Sequence, residues 1–217
     1  MNSQAEVLLI QPPTGAYRRD DRCQSRVEDQ TIQIHFPPMD LAHHAAVLEQ
    51  NGFGVAIRDY STMGTSISKA LAEIQNLQPK AIFFSSTQPT QANDLAFAAR
   101  VKSHLPEVKV ILRGESVTFQ DRIILEQVPQ VDFILRGESE ETLTELLAVL
   151  LRGLDRPLDD IPGLSLRVEE GVVRTPDRPF IKDLNRLPWP ARHLLDQSLY
   201  RSPETGNVLT TLYTARG

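Results

Sequence analysis

Cysteine is nearly missing from this 217-residue chain. Cys23 stands alone, so no disulfide closes within it, and five scattered histidines give no zinc-ligand spacing. No metal cage is expected from this segment. Long apolar runs are missing too: none approaches the ~20 residues of a membrane span, and the start Met1-Asn-Ser-Gln-Ala-Glu6 lacks a basic-then-apolar leader. The expectation is a cytoplasmic protein without a membrane span. Positive charge is not in excess; the net charge is -5 and no Lys/Arg run occurs, which disfavours nucleic acid as a partner.

Signature loops are missing as well. Gln11 to Ala16 contains only Gly15, so the GxGxxG of dinucleotide enzymes is absent, as is a Walker loop. A phosphoacceptor receiver domain needs an acidic pair after its first strand and an Asp ending its third. Here those places read Gln11-Pro12-Pro13 and Ser85-Ser86. No Ser/His/Asp or Cys/His constellation can be assembled, and no catalytic residue is assigned.

What is present is a regular alternation. Val7-Leu-Leu-Ile10, Val55-Ala-Ile57, Ala81-Ile-Phe-Phe84, Val108 to Leu112 and Val131 to Leu135 read as buried strands. Between them, helical apolar spacing runs over Asp40 to Asn51, Ser66 to Leu77, Thr90 to His104, Phe119 to Gln127 and Ser139 to Leu151. Gly52 sits where a helix C-cap is expected, and Pro106 follows the third helix. Five βα units in series predict an α/β fold, a doubly wound (Rossmann or flavodoxin-like) five-stranded parallel sheet with helices on both faces.

After Gly153 the pattern changes. Asp155 to Pro162 is a connector, Gly163 to Val168 and Val172-Val173 read as a hairpin with an acidic tip, and Pro176, Pro179, Pro188 and Pro190 mark an extended linker. One short helix is predicted around Ala191 to Leu195, and Asn207 to Gly217 reads as a strand entering a turn. The expected division is an α/β domain over 1–153, hairpin and linker over 154–206, and a first strand of a further domain over 207–217.

Ligands of open α/β sheets bind outside the carboxyl ends of the strands. The loops there are Gln11-Pro-Pro-Thr-Gly15, Ser85-Ser-Thr-Gln-Pro-Thr90, Arg113-Gly-Glu-Ser116 and Arg136-Gly-Glu-Ser139. Pro89 is placed to begin the third helix. Their hydroxyls and exposed N–H groups suit a ligand rich in phosphate, ribose and amides. Taken singly, each loop is explained as well by helix capping. All four together favour a ligand site.

These loops, taken in order, resemble the cobalamin-binding domain at the N-terminus of cobalamin-dependent radical S-adenosylmethionine enzymes. The carriers are Val7-Leu-Leu-Ile-Gln-Pro-Pro13, Phe36-Pro-Pro-Met-Asp-Leu-Ala42, Gly52-Phe53, Ser85 to Thr90, Val131 to Thr142, Ile161-Pro-Gly-Leu164 and Asp183 to Arg192. The resemblance implies that Pro12, Pro13, Thr14, Gly15, Ser85, Ser86, Thr87, Thr90, Arg113, Gly114, Glu115, Gly137, Glu138 and Thr142 hold corrin amides and the nucleotide tail. Gly114 and Gly137 are the expected points of close approach, Glu138 accepts from an amide or fixes its loop, and Ser139 is the expected N-cap.

By the same resemblance, Asn207 to Gly217 would open a missing catalytic barrel, with cluster cysteines beginning just beyond. S-adenosylmethionine and a 4Fe-4S iron-sulfur cluster would belong only to the full-length enzyme, expected to be a methyltransferase, and this chain alone would be inactive. No Asp-x-His-x-x-Gly loop follows Ile10, so no histidine is expected under cobalt. Arg113-Gly-Glu-Ser116 also departs from the Gly-Gly and nearby His common in the family. His43 and His44 are read as helix residues that pack, His35 as the histidine nearest the ligand edge, and Trp189 as a linker anchor. A stand-alone cobalamin or nucleotide-tailed sensor, without catalysis, is the competing reading.

Overall fold

The computed structural model describes residues 5–15, 17, 26–27 and 34–213. Cys23 and residues 214–217 lie outside them. Strands β1 (Val7–Gln11), β2 (Val55–Asp59), β3 (Ala81–Ser85), β4 (Lys109–Arg113) and β5 (Phe133–Leu135) are parallel and lie in the order β2-β1-β3-β4-β5. The doubly wound, flavodoxin-like expectation holds. Successive residues of a strand point to opposite faces, so both faces of the sheet must be covered.

The covering helices divide accordingly. Helices α1 (Met39–Gln50) and α6 (Glu140–Arg152) bury Leu41, Ala45, Leu48, Leu143 and Leu147 with Val7 and Leu9 on one face. Helices α2 (Ile67–Leu77), α3 (Gln91–His104) and α5 (Asp121–Gln127) bury Ile74, Phe97, Val101 and Leu125 with Leu8 and Ile10 on the other. Gly52 closes α1 at φ +78, where the Phe53 N–H donates to the Leu48 carbonyl at 3.1 Å.

Several boundaries differ from the sequence reading. The helix expected over Phe119 to Gln127 is α5, starting at Asp121, and a short helix the sequence reading did not include, α4 (Glu115–Phe119), precedes it and meets it at Gln120. Pro89 precedes α3 rather than beginning it, because Thr90 is its N-cap. Strand β5 starts at Phe133, since the Asp132 carboxylate takes the Val110 N–H at 2.7 Å.

The larger correction concerns the hairpin. Strands β6 (Leu164–Val168) and β7 (Gly171–Arg174) join the same sheet antiparallel to β5, giving seven strands instead of five. The reason is an otherwise open edge: β5 would expose its backbone polar groups, and Phe133, Ile134 and Leu135 pair with Leu166, Ser165 and Leu164. Arg136, 3% exposed, ties this edge down by donating to the Asp177 carboxylate and the Thr175 carbonyl.

The linker then returns along α1. The Ala191 N–H donates to the Ala42 carbonyl at 2.9 Å, and the buried Tyr200 hydroxyl donates to Asp59 Oδ2 at 2.9 Å. Those two residues anchor the linker, while Trp189 is 85% exposed and does not. The helix expected near Ala191 is a single 3-10 turn, Arg192–Leu194. Where a strand was expected from Asn207, the described residues form only the isolated Arg201–Val208 bridge, because no neighbouring strand lies alongside.

Candidate functional site

Strands β1 and β3 are neighbours whose following chains leave toward opposite faces, to α1 and α3. Such a topological switch opens a crevice at the carboxyl edge. Four hydroxyls gather there around one carboxylate. Thr14 Oγ1 donates to Asp94 Oδ1 at 2.6 Å; Ser86 Oγ and Thr90 Oγ1 donate to Asp94 Oδ2 at 2.9 and 2.7 Å. Thr87 Oγ1 lies 2.9 Å from Thr90 Oγ1. Ser86, Thr87, Thr90 and Asp94 are all buried, so these hydroxyls shape the edge from beneath.

A second group adjoins it. Ser85 Oγ donates to Asp40 Oδ2 at 2.7 Å, and Arg113 Nη1 lies 3.5 Å from the same oxygen. Asp40 is in the first turn of α1, where its charge meets the helix dipole favourably. Beneath it, His44 packs on Phe83 with ring centroids 4.8 Å apart, and burial pushes its imidazole pKa down. Its Nδ1 is 2.7 Å from the Asp40 carbonyl, which only accepts, so Nδ1 carries the proton. Its Nε2 therefore accepts from the Ser139 hydroxyl at 2.8 Å. Ser139 is the N-cap residue of α6 as expected, but this contact engages its Oγ, and it makes no side-chain capping bond.

The two glycines differ in kind. A Cβ on Gly114, at φ +122, would lie 2.2 Å from the Ser86 carbonyl oxygen, so this glycine permits contact between the loops after β3 and β4. Its close approach is to the protein's own backbone. A Cβ on Gly137, at φ +67, would meet nothing within 4 Å, leaving an open surface beside exposed backbone.

The remaining expected residues are distributed unevenly. Pro12 is buried, Pro13 half-buried, and Gly15 exposed with its carbonyl accepting from Ser61 Oγ at 2.7 Å. Glu115 is exposed at the start of α4. Glu138 is turned to the linker, where Oε2 accepts the Ile181 N–H at 2.7 Å. Thr142 is buried against the hairpin connection, donating to the Pro162 carbonyl at 2.9 Å and accepting from Arg178 Nε at 2.7 Å. Both side chains are engaged by the protein's own linker and hairpin connection.

Beside the switch point a cavity of about 260 Å³ opens at the ends of β1 and β2, lined by Gln11, His35, Asp40, Thr62 and Tyr213 among others. His35 Nδ1 is 3.4 Å from Thr62 Oγ1, and His43 stacks on Tyr213 at 5.6 Å. Cavities that enclose drug-sized ligands run from about 300 Å³ upward. A corrin is far larger, so it would lie across the edge rather than inside. Among the described residues no group of three His, Cys, Asp or Glu side chains is placed to hold a metal ion. Cobalamin brings its own equatorial nitrogens to cobalt and asks for surface, backbone and hydrogen bonds. The open Gly137 surface, the exposed Gly15 and Glu115 and the switch-point crevice fit that demand.

A family model described as the B12 binding domain matches residues 30–147, more than half of the chain. The chain belongs to the B12-binding domain family. It is 29% identical over 214 residues to an uncharacterized methyltransferase of Pyrococcus horikoshii, covering 98% of this chain and 43% of that protein. It is 26% identical over 198 residues to the anaerobic magnesium-protoporphyrin IX monomethyl ester cyclase of Synechocystis, covering 89% and 37%. The B12-binding chain thus spans less than half the length of these curated relatives.

Solved structures share the fold. The cobalamin-dependent S-adenosylmethionine radical enzyme OxsB, with aqua-cobalamin and S-adenosylmethionine bound, superimposes with a TM-score of 0.68 at 18% identity, over 85% of this chain and 24% of that one. The radical S-adenosylmethionine methyltransferase TsrM of Kitasatospora setae, with cobalamin and a [4Fe-4S] cluster bound, gives 0.59 at 18% identity, over 91% and 35%. No helix among the described residues is long and apolar enough to cross a membrane.

Asp94, Asp40 and His44 were not legible as site residues. The one available signal was Thr90 and Asp94 at i,i+4 spacing, which puts both on one side of a helix end.

Proposed function

We propose that this chain is the cobalamin-carrying module of a radical S-adenosylmethionine enzyme, a methyltransferase, and that it holds cobalamin across the carboxyl edge of its sheet. The observation that carries the reading is the B12-binding match over residues 30–147, which spans the loops after β3, β4 and β5. The methyltransferase named among its relatives and the radical enzymes sharing its fold support the wider role. When bound, cobalamin supplies a cobalt centre able to carry and release a methyl group.

The chain's own residues bind and orient. Gly15, Gly137 and Glu115 face the ligand through backbone and carboxylate. Ser85, Arg113 and Asp40 form a polar wall, and Pro12, Pro13 and Gly114 fix the loop paths. Thr14, Ser86, Thr87 and Thr90 shape the crevice. S-adenosylmethionine, the iron-sulfur cluster and the substrate belong to a partner barrel presented with the cobalt face. The test is to mix the purified chain with hydroxocobalamin, desalt, and record the visible spectrum. Corrin absorbance travelling with the protein is expected; its complete loss on desalting overturns the reading.

A further inference from the structure

Phenylalanine divides between core and rim. Five of the eight, Phe53, Phe83, Phe84, Phe97 and Phe133, are buried. The other three stand on segments beside the carboxyl edge: Phe36 lines the cavity at the ends of β1 and β2, Phe119 ends the short helix that opens after β4, and Phe180 lies in the linker segment held against the loop after β5. Phe180 is held firmly in place. Two residues before it, the Arg178 guanidinium donates to Thr142 Oγ1 at 2.7 Å and pairs with Glu141 at 3.0 Å and Glu145 at 2.9 Å. One residue after it, the Ile181 N–H donates to Glu138 Oε2 at 2.7 Å. Pro179 locks φ between those two fastenings and confines Arg178 to extended backbone. Phe180 itself is nevertheless 72% exposed. A lone exposed ring is ordinary on a protein surface. One whose backbone is fastened on both sides, next to an open ligand surface, calls for a partner.

We propose that Phe180, a linker residue, binds the corrin ring, packing against its methyl-bearing rim where that rim overlies Gly137. The inference rests on the cobalamin reading above. Position selects the ring: Glu138 grips the neighbour of Phe180 and is itself the neighbour of Gly137, where an added Cβ would meet nothing within 4 Å. Chemistry selects the rim. A corrin carries methyl groups between its amide chains, and Ser85, Arg113, Asp40 and Glu115 offer polar partners to the amides but none to the methyls. An aromatic ring supplies that apolar area, and burying it is favourable in proportion to the area removed from water. Because both flanking residues are already fastened, little backbone freedom is lost on binding, and more of the contact survives as affinity.

The test uses the full 217-residue chain with Phe180→Ala, Phe180→Leu and the control Leu154→Ala. Leu154 is also exposed, but it follows the far end of α6, at the opposite edge of the sheet. Equilibrium dialysis with visible absorbance gives the affinity of each for dicyanocobalamin and for dicyanocobinamide, which lacks the nucleotide tail. Phe180→Ala is expected to weaken both ligands at least ~10-fold and to the same extent within ~2-fold, because the contact is with the ring they share. Phe180→Leu keeps apolar area and should stay within ~3-fold of wild type, and Leu154→Ala within ~2-fold. Since the ring is exposed, Phe180→Ala should melt within about 2 °C of wild type. Unchanged affinity in Phe180→Ala, a loss confined to dicyanocobalamin, an equal loss in Leu154→Ala, or a larger fall in Tm overturns the proposal and leaves the cobalamin reading intact. If wild type binds neither ligand, the cobalamin reading fails and this inference with it.

Discussion

Replacing Gly114 with alanine is expected to cost about 4 kcal/mol of stability, because its Cβ would sit 2.2 Å from the Ser86 carbonyl oxygen and 3.3 Å from its carbon. Both obstacles are backbone and cannot rotate aside. The conformation at φ +122 adds strain of roughly 1–3 kcal/mol for a side-chain-bearing residue, and forced repacking adds roughly 1–3 more. A shift of Ser86 would also disturb its N–H bond to the Arg113 carbonyl, 2.9 Å long. For a chain of this size each kcal/mol moves Tm by roughly 2–4 °C, so a fall of roughly 8–16 °C follows. Gly137→Ala is the control: at φ +67 with open space it should cost about 1 kcal/mol, or roughly 2–4 °C. Thermal unfolding followed by far-UV circular dichroism measures both. A Gly114→Ala protein melting within about 2 °C of wild type, or no lower than Gly137→Ala, refutes the contact reasoning.

Gly137→Leu should abolish cobalamin retention on desalting while lowering Tm only by roughly 2–4 °C, since the side chain projects into the proposed ligand surface; undiminished retention removes Gly137 from the site. Ser139→Ala leaves the buried His44 Nε2 without its donor and should destabilise by about 1–3 kcal/mol in urea unfolding, whereas no loss would show that this bond does not contribute to holding α1 against α6. The Arg152 hydrogen bond holds the Glu6 carboxyl down at about 2 from an ordinary 4.5. Its folded-state pKa is depressed, so its stabilisation is present above pH 4.5 and is lost as pH falls toward 2. Glu6→Gln should flatten that part of the stability profile; an unchanged acid limb would count against the ion pair.

The parallel sheet was legible because strands buried on both faces read as apolar runs, and the intervening helices show their own period. The hairpin was legible as a hairpin, but its union with β5 was not. Nothing in Leu164 to Leu166 names Phe133 to Leu135 as its partner until the chain folds. The hydroxyl-rich loops stood out; what their hydroxyls bond did not. Thr14 and Asp94 are 80 residues apart, and His44 and Ser139 are 95 apart. In sequence, Asp94 is an ordinary first-turn acid and Ser139 an ordinary cap. Only the switch-point topology and the packing of α1 against α6 give each its partner. Trp189 misled for a related reason: its size suggests an anchor, yet the linker is held by Ala191 and by the Tyr200 bond to Asp59.

The central claim is that this edge binds cobalamin, and an equilibrium titration of the chain with hydroxocobalamin, read by visible absorbance, tests it most directly. Saturation at one corrin per chain is predicted. No saturable binding up to roughly millimolar ligand, an affinity weaker than about -4 kcal/mol, would contradict it.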